Sequence, residues 1–274
     1  MLKRAMAMLA ASGAIASPAW AQDAPIQPSG KWVVAFEDTM CVLSRDFGAG
    51  ESALTWSLRP MPGDPRLEMT LARPAGGKQR YRWGAALVTL EPMSEGVLGD
   101  FDEGVVPKAA LLVSRIHVDR AAMAPLGEAA SLSIRLKSDR RIRIALPGIG
   151  NALKTLAQCE DDLMRRWGFD PEVQRTLTRP ARRMSNLGNA LTQRDYPLVT
   201  LQAGLQGTVR IRWTAGADGR ARNCIVVVSS GVPVLDEVSC VLIVSRMHYR
   251  PALGRDGKPV DALDSNTFSW IVAE

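Results

Sequence analysis

The sequence predicts an α+β protein: a β-rich, sandwich- or barrel-like N-terminal domain closed by one helix, then a small α-β-β-α-β domain with a three-stranded antiparallel sheet. Three observations carry this prediction. Short alternating runs of apolar and polar residues, separated by Gly, Pro and Asp, fill most of residues 30–168 and end in one amphipathic helical pattern. A stretch with two prolines, residues 169–186, follows as a linker. Residues 187–274 then show helix, strand, strand, helix and strand patterns in order.

Residues 1–21 are predicted to be a signal peptide. Two basic residues precede an alanine-rich apolar stretch, and Ala19 and Ala21 supply the small residues that signal peptidase requires. A membrane-spanning helix needs about 20 apolar residues, whereas this stretch is shorter and is interrupted by serine, glycine and proline. We therefore expect cleavage and export. An uncleaved membrane anchor is the alternative.

The charge and the polar side chains argue against several classes of function. Basic and acidic residues are interleaved and the net charge is +6, a mild excess, so we expect no nucleic-acid partner. The sequence has no metal-ligand spacing, no nucleophile motif and no phosphate-binding glycine loop. His117 falls on a predicted strand and is interpreted as a surface or hydrogen-bonded residue. We therefore predict no metal, no cofactor and no enzymatic activity.

The strands of the first domain are predicted from period-two patterns. "LTWSL" (residues 54–58) and "LEMTL" (residues 67–71) each place three apolar side chains on one face. Residues 132–146 are typical of a hairpin, because two alternating runs flank a polar turn. Several short strands of this kind favour an antiparallel sandwich or barrel.

A helix is predicted over residues 151–168. At 3.6 residues per turn, one apolar stripe contains Leu153, Leu156, Cys159, Leu163 and Trp167. The stripe turns Cys159 towards the core. The chain has four cysteines, which allow three pairings, and an exported chain with an even number is typically disulfide-bonded.

Cys41 lies in a predicted strand of the same domain as this helix. A Cys41–Cys159 bridge between the strand and the helix is therefore the economical arrangement. The linker that follows has four arginines, which we interpret as solvated charge. A basic patch that touches a membrane is the alternative.

The C-terminal patterns are short and well delimited. Pro197 begins a short helix, and Asp218-Gly219 marks the turn between two strands. Pro233 lies close to the start of the second helix, and residues 267–272 close the chain as the last strand. The apolar stripe predicted for the second helix and the residue that follows it consists of Val234, Leu235, Val238, Val241, Leu242 and Tyr249.

This last part of the chain resembles the C-terminal domain of TonB-family proteins, and it is closest to the subgroup with a cysteine pair. The resemblance covers residues 189–274 and rests on runs such as "GTVRIRW", "DGRARNC", "SSG", "YRPA" and "SNTFSW". It implies a Cys224–Cys240 bridge between strand and helix. It also implies a structural role for the motif residues Tyr196, Pro197, Gly207, Gly219, Ser229, Ser230, Gly231, Leu235, Asp236 and Pro251.

In that family the C-terminal domain binds a short peptide of an outer-membrane transporter, which adds as a strand to the edge of the sheet. The resemblance therefore implies a peptide-binding edge in the last strand. The predicted edge residues are Thr267, Phe268, Ser269, Trp270, Ile271 and Val272. Trp270 is alternatively a core residue.

The chain also departs from the family. Energy-transducing members have an uncleaved N-terminal membrane helix and a proline-rich periplasmic segment, where this chain has a predicted signal peptide and a β-rich domain. We therefore predict a periplasmic adaptor in a Gram-negative envelope that binds a protein or peptide, such as a TonB-dependent outer-membrane receptor. A membrane-tethered energy transducer is the alternative, and a homodimer joined through sheet edges is a further interpretation. An enzyme or enzyme inhibitor housed in residues 31–168 is the least favoured hypothesis.

Overall fold

The computed structural model describes residues 24–76, 81–93, 95–106, 109–137 and 141–272. The predicted signal peptide lies outside the described residues. Within the described part of the chain, no helix combines the length and the apolar character that crossing a bilayer requires. The fold is α+β, as predicted, with a large curled sheet followed by a small three-stranded one.

The N-terminal domain is built on one antiparallel sheet of nine strands. Their bounds are β1 Val33–Phe36, β2 Cys41–Phe47, β3 Leu54–Arg59, β4 Arg66–Pro74, β5 Arg82–Glu91, β6 Gly96–Val106, β7 Leu111–Asp119, β8 Ser131–Leu136 and β9 Arg141–Ala145. The spatial order is β1-β2-β3-β4-β7-β6-β5-β8-β9. Both predicted runs, residues 54–58 and 67–71, lie in strands, and residues 132–146 contain the β8–β9 hairpin.

The sheet curls until its two ends meet. The chain just before β1 lies between them: Ile26 bridges Ile144 of β9, and Pro28 bridges Phe47 at the end of β2. The alternation of the strands turns one face inwards, where Trp56 and Ile116 are completely buried. The domain is therefore barrel-like, with the core enclosed by the curl of a single sheet.

Helix α1 (Ile149–Arg166) closes this domain. It begins after Gly148, whose φ of 76° lies in the left-handed region that glycine adopts readily. Leu156, Cys159 and Leu163 are buried against the sheet, so the predicted stripe faces the core. Cys159 forms a disulfide with Cys41 of β2, the pairing expected from the sequence.

The segment interpreted as a linker contains regular structure. Helix α2 occupies Pro171–Arg175, and Asp170 caps it by accepting a hydrogen bond from the Glu172 N–H. Strand β10 (Arg182–Arg183) pairs antiparallel with β13 (Tyr249–Arg250). The last part of residues 169–186 is therefore hydrogen-bonded to the C-terminal domain.

The C-terminal domain has the predicted α-β-β-α-β order. Its bounds are α3 Leu187–Ala190, α4 Leu198–Gln202, β11 Gly207–Ala215, β12 Ala221–Val228, α5 Pro233–Arg246, β14 Ala252–Leu253, β15 Pro259–Val260 and β16 Ala262–Trp270. The main sheet has the order β12-β11-β16, and all its pairings are antiparallel. Helix α5 covers one face of this sheet.

The face by which α5 packs differs from the predicted stripe. Leu235, Ser239 and Ile243, spaced four residues apart, are completely buried, whereas Val234 and Val241 are 44% and 58% exposed. The stripe was wrong at those two valines. The helix is apolar nearly all round, so periodicity alone does not select the face that packs. The disulfide between Cys240 and Cys224 of β12 holds the helix in its observed rotation.

The opposite face of the small sheet packs on the N-terminal domain. Arg210 donates to Glu68 of β4 at 3.0 Å, and both side chains are buried. The guanidinium of Arg212 lies over the Trp167 ring, 4.3 Å from its centroid. Burial lowers the pKa of Arg212 to about 10. Because α5 covers one face of the sheet and the N-terminal domain covers much of the other, the edges of the sheet are the places where its backbone can meet another chain.

Candidate functional site

The two edges of the small sheet differ in regularity. Strand β16 pairs with β11 over nine residues without a register shift. The β11–β12 pairing has two register shifts, Asn223 of β12 has a φ of 54°, and the Thr39 hydroxyl donates to the Val227 carbonyl. Bulged or capped edges are poor templates for an added strand. The regular edge is therefore β16, the strand singled out from the sequence.

The first half of the β16 edge is already hydrogen-bonded. The Leu263 N–H donates to the Gln174 side chain at 3.3 Å, and the Ser265 carbonyl accepts from Arg183 at 3.0 Å. Backbone groups of alternate residues point to the same side of a strand. The N–H and C=O groups of Thr267 and Ser269 therefore face outwards as well.

The second half of the edge is open. Among the described residues, no side chain from another element bonds to the backbone of residues 267–270. Within β16 itself, the Asn266 side-chain amide donates to the Thr267 carbonyl at 3.0 Å. Strand β16 ends at Trp270, so Ile271 and Val272 lie beyond it. There the Ile271 carbonyl accepts from Gln193 and the Val272 N–H donates to Gln206, each at 3.3 Å and exposed to solvent. An incoming strand that reaches these residues would displace the Asn266 and Gln193 hydrogen bonds, whereas the Val272 N–H bonds back to Gln206, just before β11, and lies out of its way.

A groove of about 350 Å³ runs beside the open half of the edge. Its walls are the strand on one side and the chain around α3 on the other. The lining residues are Gly188, Leu191, Thr192, Gln193, Phe268, Ser269 and Trp270. The groove thus places half-buried apolar side chains next to free backbone groups.

The Trp270 side chain belongs to the core. It is 5% exposed, its indole N–H donates to the Ser239 hydroxyl at 2.9 Å, and its ring meets Tyr196 edge-on at 5.2 Å. Of the two aromatic residues of the predicted edge, Phe268 is the one that is only half-buried. The burial of Trp270 favours the alternative that it is a core residue.

The corner between β12 and α5 is held by the predicted motif. The Asp236 carboxylate accepts from the Ser230 N–H at 2.8 Å and from the Ser229 hydroxyl. Gly231 follows with a φ of 83°. At Gly207, a side chain would bring Cβ to 2.4 Å from the Ser230 carbonyl, so only glycine fits there. These contacts support a structural role for the motif residues.

A buried polar cluster at the start of β16 has no signal in the sequence. Asp264 accepts from Arg183 at 2.7 Å and from the Tyr249 hydroxyl at 2.8 Å, and the Trp213 indole N–H donates to the same hydroxyl. Burial and the charge of Asp264 raise the pKa of Tyr249. These residues are far apart in the chain, so only the fold brings them together. The cluster attaches β10 to the sheet.

The described residues contain no group of three or more His, Cys, Asp or Glu side chains that could hold a metal ion. His117 is half-buried between Glu68 and Asp100, with ring nitrogens 3.7 Å and 3.4 Å from the two carboxylates. His117 lies on a strand, β7, as predicted, and it neighbours carboxylates of the adjacent strands β4 and β6.

Residues 192–272 match the family model described as the C-terminal domain of the Gram-negative bacterial TonB protein. The match contains α4, β11, β12, α5 and β16, together with the short strands β13–β15. No curated protein and no solved structure matches the chain. Residues 192–272 therefore match a TonB C-terminal domain, and the resemblance noted from the motifs of this region is confirmed.

Proposed function

We propose that the protein is a periplasmic adaptor that holds an extended peptide of an envelope partner by strand addition to β16. The observation that carries the proposal is the open, regular edge at residues 267–270, next to a groove lined by Phe268. Free N–H and C=O groups on an edge strand pair with an extended chain irrespective of its sequence. The groove would then select among side chains of that chain.

The partner is a protein or peptide, and the periplasmic segment of a TonB-dependent outer-membrane receptor is the first candidate. The matched family supports this choice. The proposal needs no metal, cofactor or catalytic residue.

The location in the periplasm rests on the predicted signal peptide and on the cysteines. All four cysteines are paired, Cys41 with Cys159 and Cys224 with Cys240. Disulfides persist in oxidising compartments such as the periplasm. The intact mass of the protein from a bacterial envelope fraction tests this location. A chain that begins at Gln22 supports the adaptor, and a full-length chain in the membrane fraction supports the tethered transducer instead.

Replacing Ser269 by proline tests strand addition. The Ser269 N–H faces outwards, so Ser269→Pro removes one donor from the edge while leaving the pairing with β11 intact. With synthetic peptides from periplasmic segments of outer-membrane receptors, titration calorimetry of the full chain should show binding at least tenfold weaker than for the unchanged protein.

Ser269→Ala is the matched control. Both substitutions lose the contact between the hydroxyls of Ser269 and Thr208, which are 3.0 Å apart, but alanine keeps the backbone N–H. We expect Ser269→Ala to bind like the unchanged protein. Equal binding by the proline and alanine variants would show that the peptide does not add to this edge.

A further inference from the structure

A second recess lies between the two domains, along the half of β16 that is not open. Its volume is about 1040 Å³. The walls are residues 63–66, which lead into β4, the chain of residues 174–183, and residues 262–266 of β16. It is much larger than the groove beside residues 267–270.

Arginine dominates the charge of this interdomain cleft. Two carboxylates, Asp64 and Asp264, also line it. The arginines are Arg66, Arg179, Arg182, Arg183 and Arg250.

Both carboxylates already have arginine partners. Asp264 is bonded to Arg183 and to Tyr249, as described above. Asp64 lies 3.4 Å from Arg210 and accepts from the Ser265 hydroxyl at 3.2 Å. The positive charge of the other four arginines therefore has no compensating carboxylate on the cleft walls.

Arg182 and Arg250 are the least compensated pair. They stand directly opposite each other in the β10–β13 ladder, which brings their Cβ atoms to about 5 Å. Like charges in that position destabilise a ladder. Both side chains are exposed, and neither has a side-chain hydrogen bond or an ion pair with any other described residue.

The two remaining arginines are weakly engaged. Arg179 donates to the Pro251 carbonyl at 3.1 Å, and its Nε is buried without a partner among the described residues. Arg66 lies 3.6 Å from Asp100, with both side chains largely exposed, and such pairs contribute little. The cleft thus contains guanidinium N–H donors that could still bond to an acceptor from another molecule.

We propose that the interdomain cleft binds an acidic, extended segment of a partner protein. Carboxylates accept two parallel hydrogen bonds from a guanidinium, so Glu and Asp side chains match the arginines in charge and geometry. The volume is at the upper end of small-molecule sites, which suits several residues of a peptide. A flat bilayer does not enter a recess with walls on both sides.

This proposal goes beyond strand addition and does not depend on it. The β16 backbone in the cleft is already bonded to Gln174 and Arg183, so recognition there would come from arginine side chains. The cleft also joins residues of both domains. Through this cleft, the N-terminal domain would contribute to binding of the acidic segment.

The test is a fluorescence-anisotropy titration of the full chain with a labelled octaglutamate peptide, and with octaglutamine for comparison. We expect octaglutamate to bind, with an affinity that falls as salt is added, and octaglutamine not to bind. The double variant Arg182→Gln/Arg250→Gln should weaken octaglutamate binding at least tenfold. The single variant Arg250→Gln should give an intermediate loss.

The matched control removes the same charge elsewhere. Arg135→Gln/Arg220→Gln changes two exposed arginines outside the cleft, and it should bind octaglutamate like the unchanged protein. Equal weakening by both double variants would reduce the effect to net charge and overturn the proposal. The absence of octaglutamate binding would also overturn the proposal. The same holds if Arg182 and Arg250 are needed to bind phosphatidylglycerol vesicles or oligo-dT while octaglutamate does not bind.

Discussion

Single residues of the C-terminal domain stabilise it through paired polar groups in an apolar core. Ser239 is completely buried on α5, where it accepts from the Trp270 indole and donates to the Leu235 carbonyl. A buried polar group is tolerated only when it is hydrogen-bonded. Ser239 therefore links α5 to Trp270 of β16 by a buried hydrogen bond.

Ser239→Ala leaves the Trp270 N–H buried without an acceptor. We expect the free energy of unfolding to fall by about 1–3 kcal/mol. Urea denaturation followed by tryptophan fluorescence measures this loss. Ser245→Ala, on the exposed side of the same helix, should change stability by no more than about 0.5 kcal/mol. Equal losses in the two variants would contradict the role of the Trp270 bond.

At the scale of elements, the strand β12 and the helix α5 are held together twice, by the Asp236 corner and by the Cys224–Cys240 bridge. The bridge closes a short loop, whereas Cys41–Cys159 closes one of 118 residues. In the chain-entropy account, a longer closed loop restricts the unfolded chain more.

Removing each bridge by a pair of Cys→Ala substitutions should lower the free energy of unfolding more for the bridge that closes the longer loop. Loss of Cys224–Cys240 should lower the free energy of unfolding by about 3 kcal/mol, and loss of Cys41–Cys159 by about 4–5 kcal/mol. Chemical denaturation of the two double variants under the same conditions measures both values. A larger loss for the shorter loop would mean that native contacts, and not the unfolded chain, dominate.

At the scale of the whole molecule, a buried ion pair couples the domains. Arg210 of the small sheet reaches Glu68 and Asp64 of the N-terminal domain. Arg210→Gln removes the basic partner of Asp64 and leaves Glu68 only with the more distant Arg59 and His117, at 3.8 Å and 3.7 Å, and we expect a loss of about 3 kcal/mol. Arg220→Gln, at an exposed arginine in the turn between β11 and β12, is the control. Thermal unfolding by calorimetry should show a lower Tm only for Arg210→Gln. An unchanged Tm would show that the pair does not couple the domains.

Acid should weaken the same contact. Burial raises the pKa of Glu68, but the neighbouring His117 ring and the charge of Arg210 outweigh burial, so the pKa lies below its usual value. Stability from a depressed carboxyl pKa is present above the unfolded-state pKa, about 4.3, and is lost as the pH falls through the folded-state pKa. Unfolding between pH 6 and pH 3 should therefore depend less on pH in Arg210→Gln than in the unchanged protein.

Much of the local structure could be predicted from the sequence because its signals are local. The alternation in residues 54–58 and 67–71, the turn at Asp218-Gly219 and the corner at Gly231 each depend on neighbours in the chain. The packed face of α5 could not be predicted, since Val234 and Val241 are as apolar as the residues that are buried. The pairing of β10 with β13 also left no sign in a stretch whose prolines and arginines are typical of a linker.

The sequence by itself determined the two kinds of sheet, the TonB-type motif and the cysteine positions, because strand period, turn residues and motif spacing are written along the chain. Only the tertiary structure decided which faces and edges remain available. Contacts between distant residues, such as Arg210 with Glu68 and Gln174 with Leu263, cover one face of the small sheet and half of the β16 edge. They leave residues 267–270 uncovered by other elements and bring the arginines together in a cleft. Both results depend on how the two domains pack, so no single segment of the sequence predicts them.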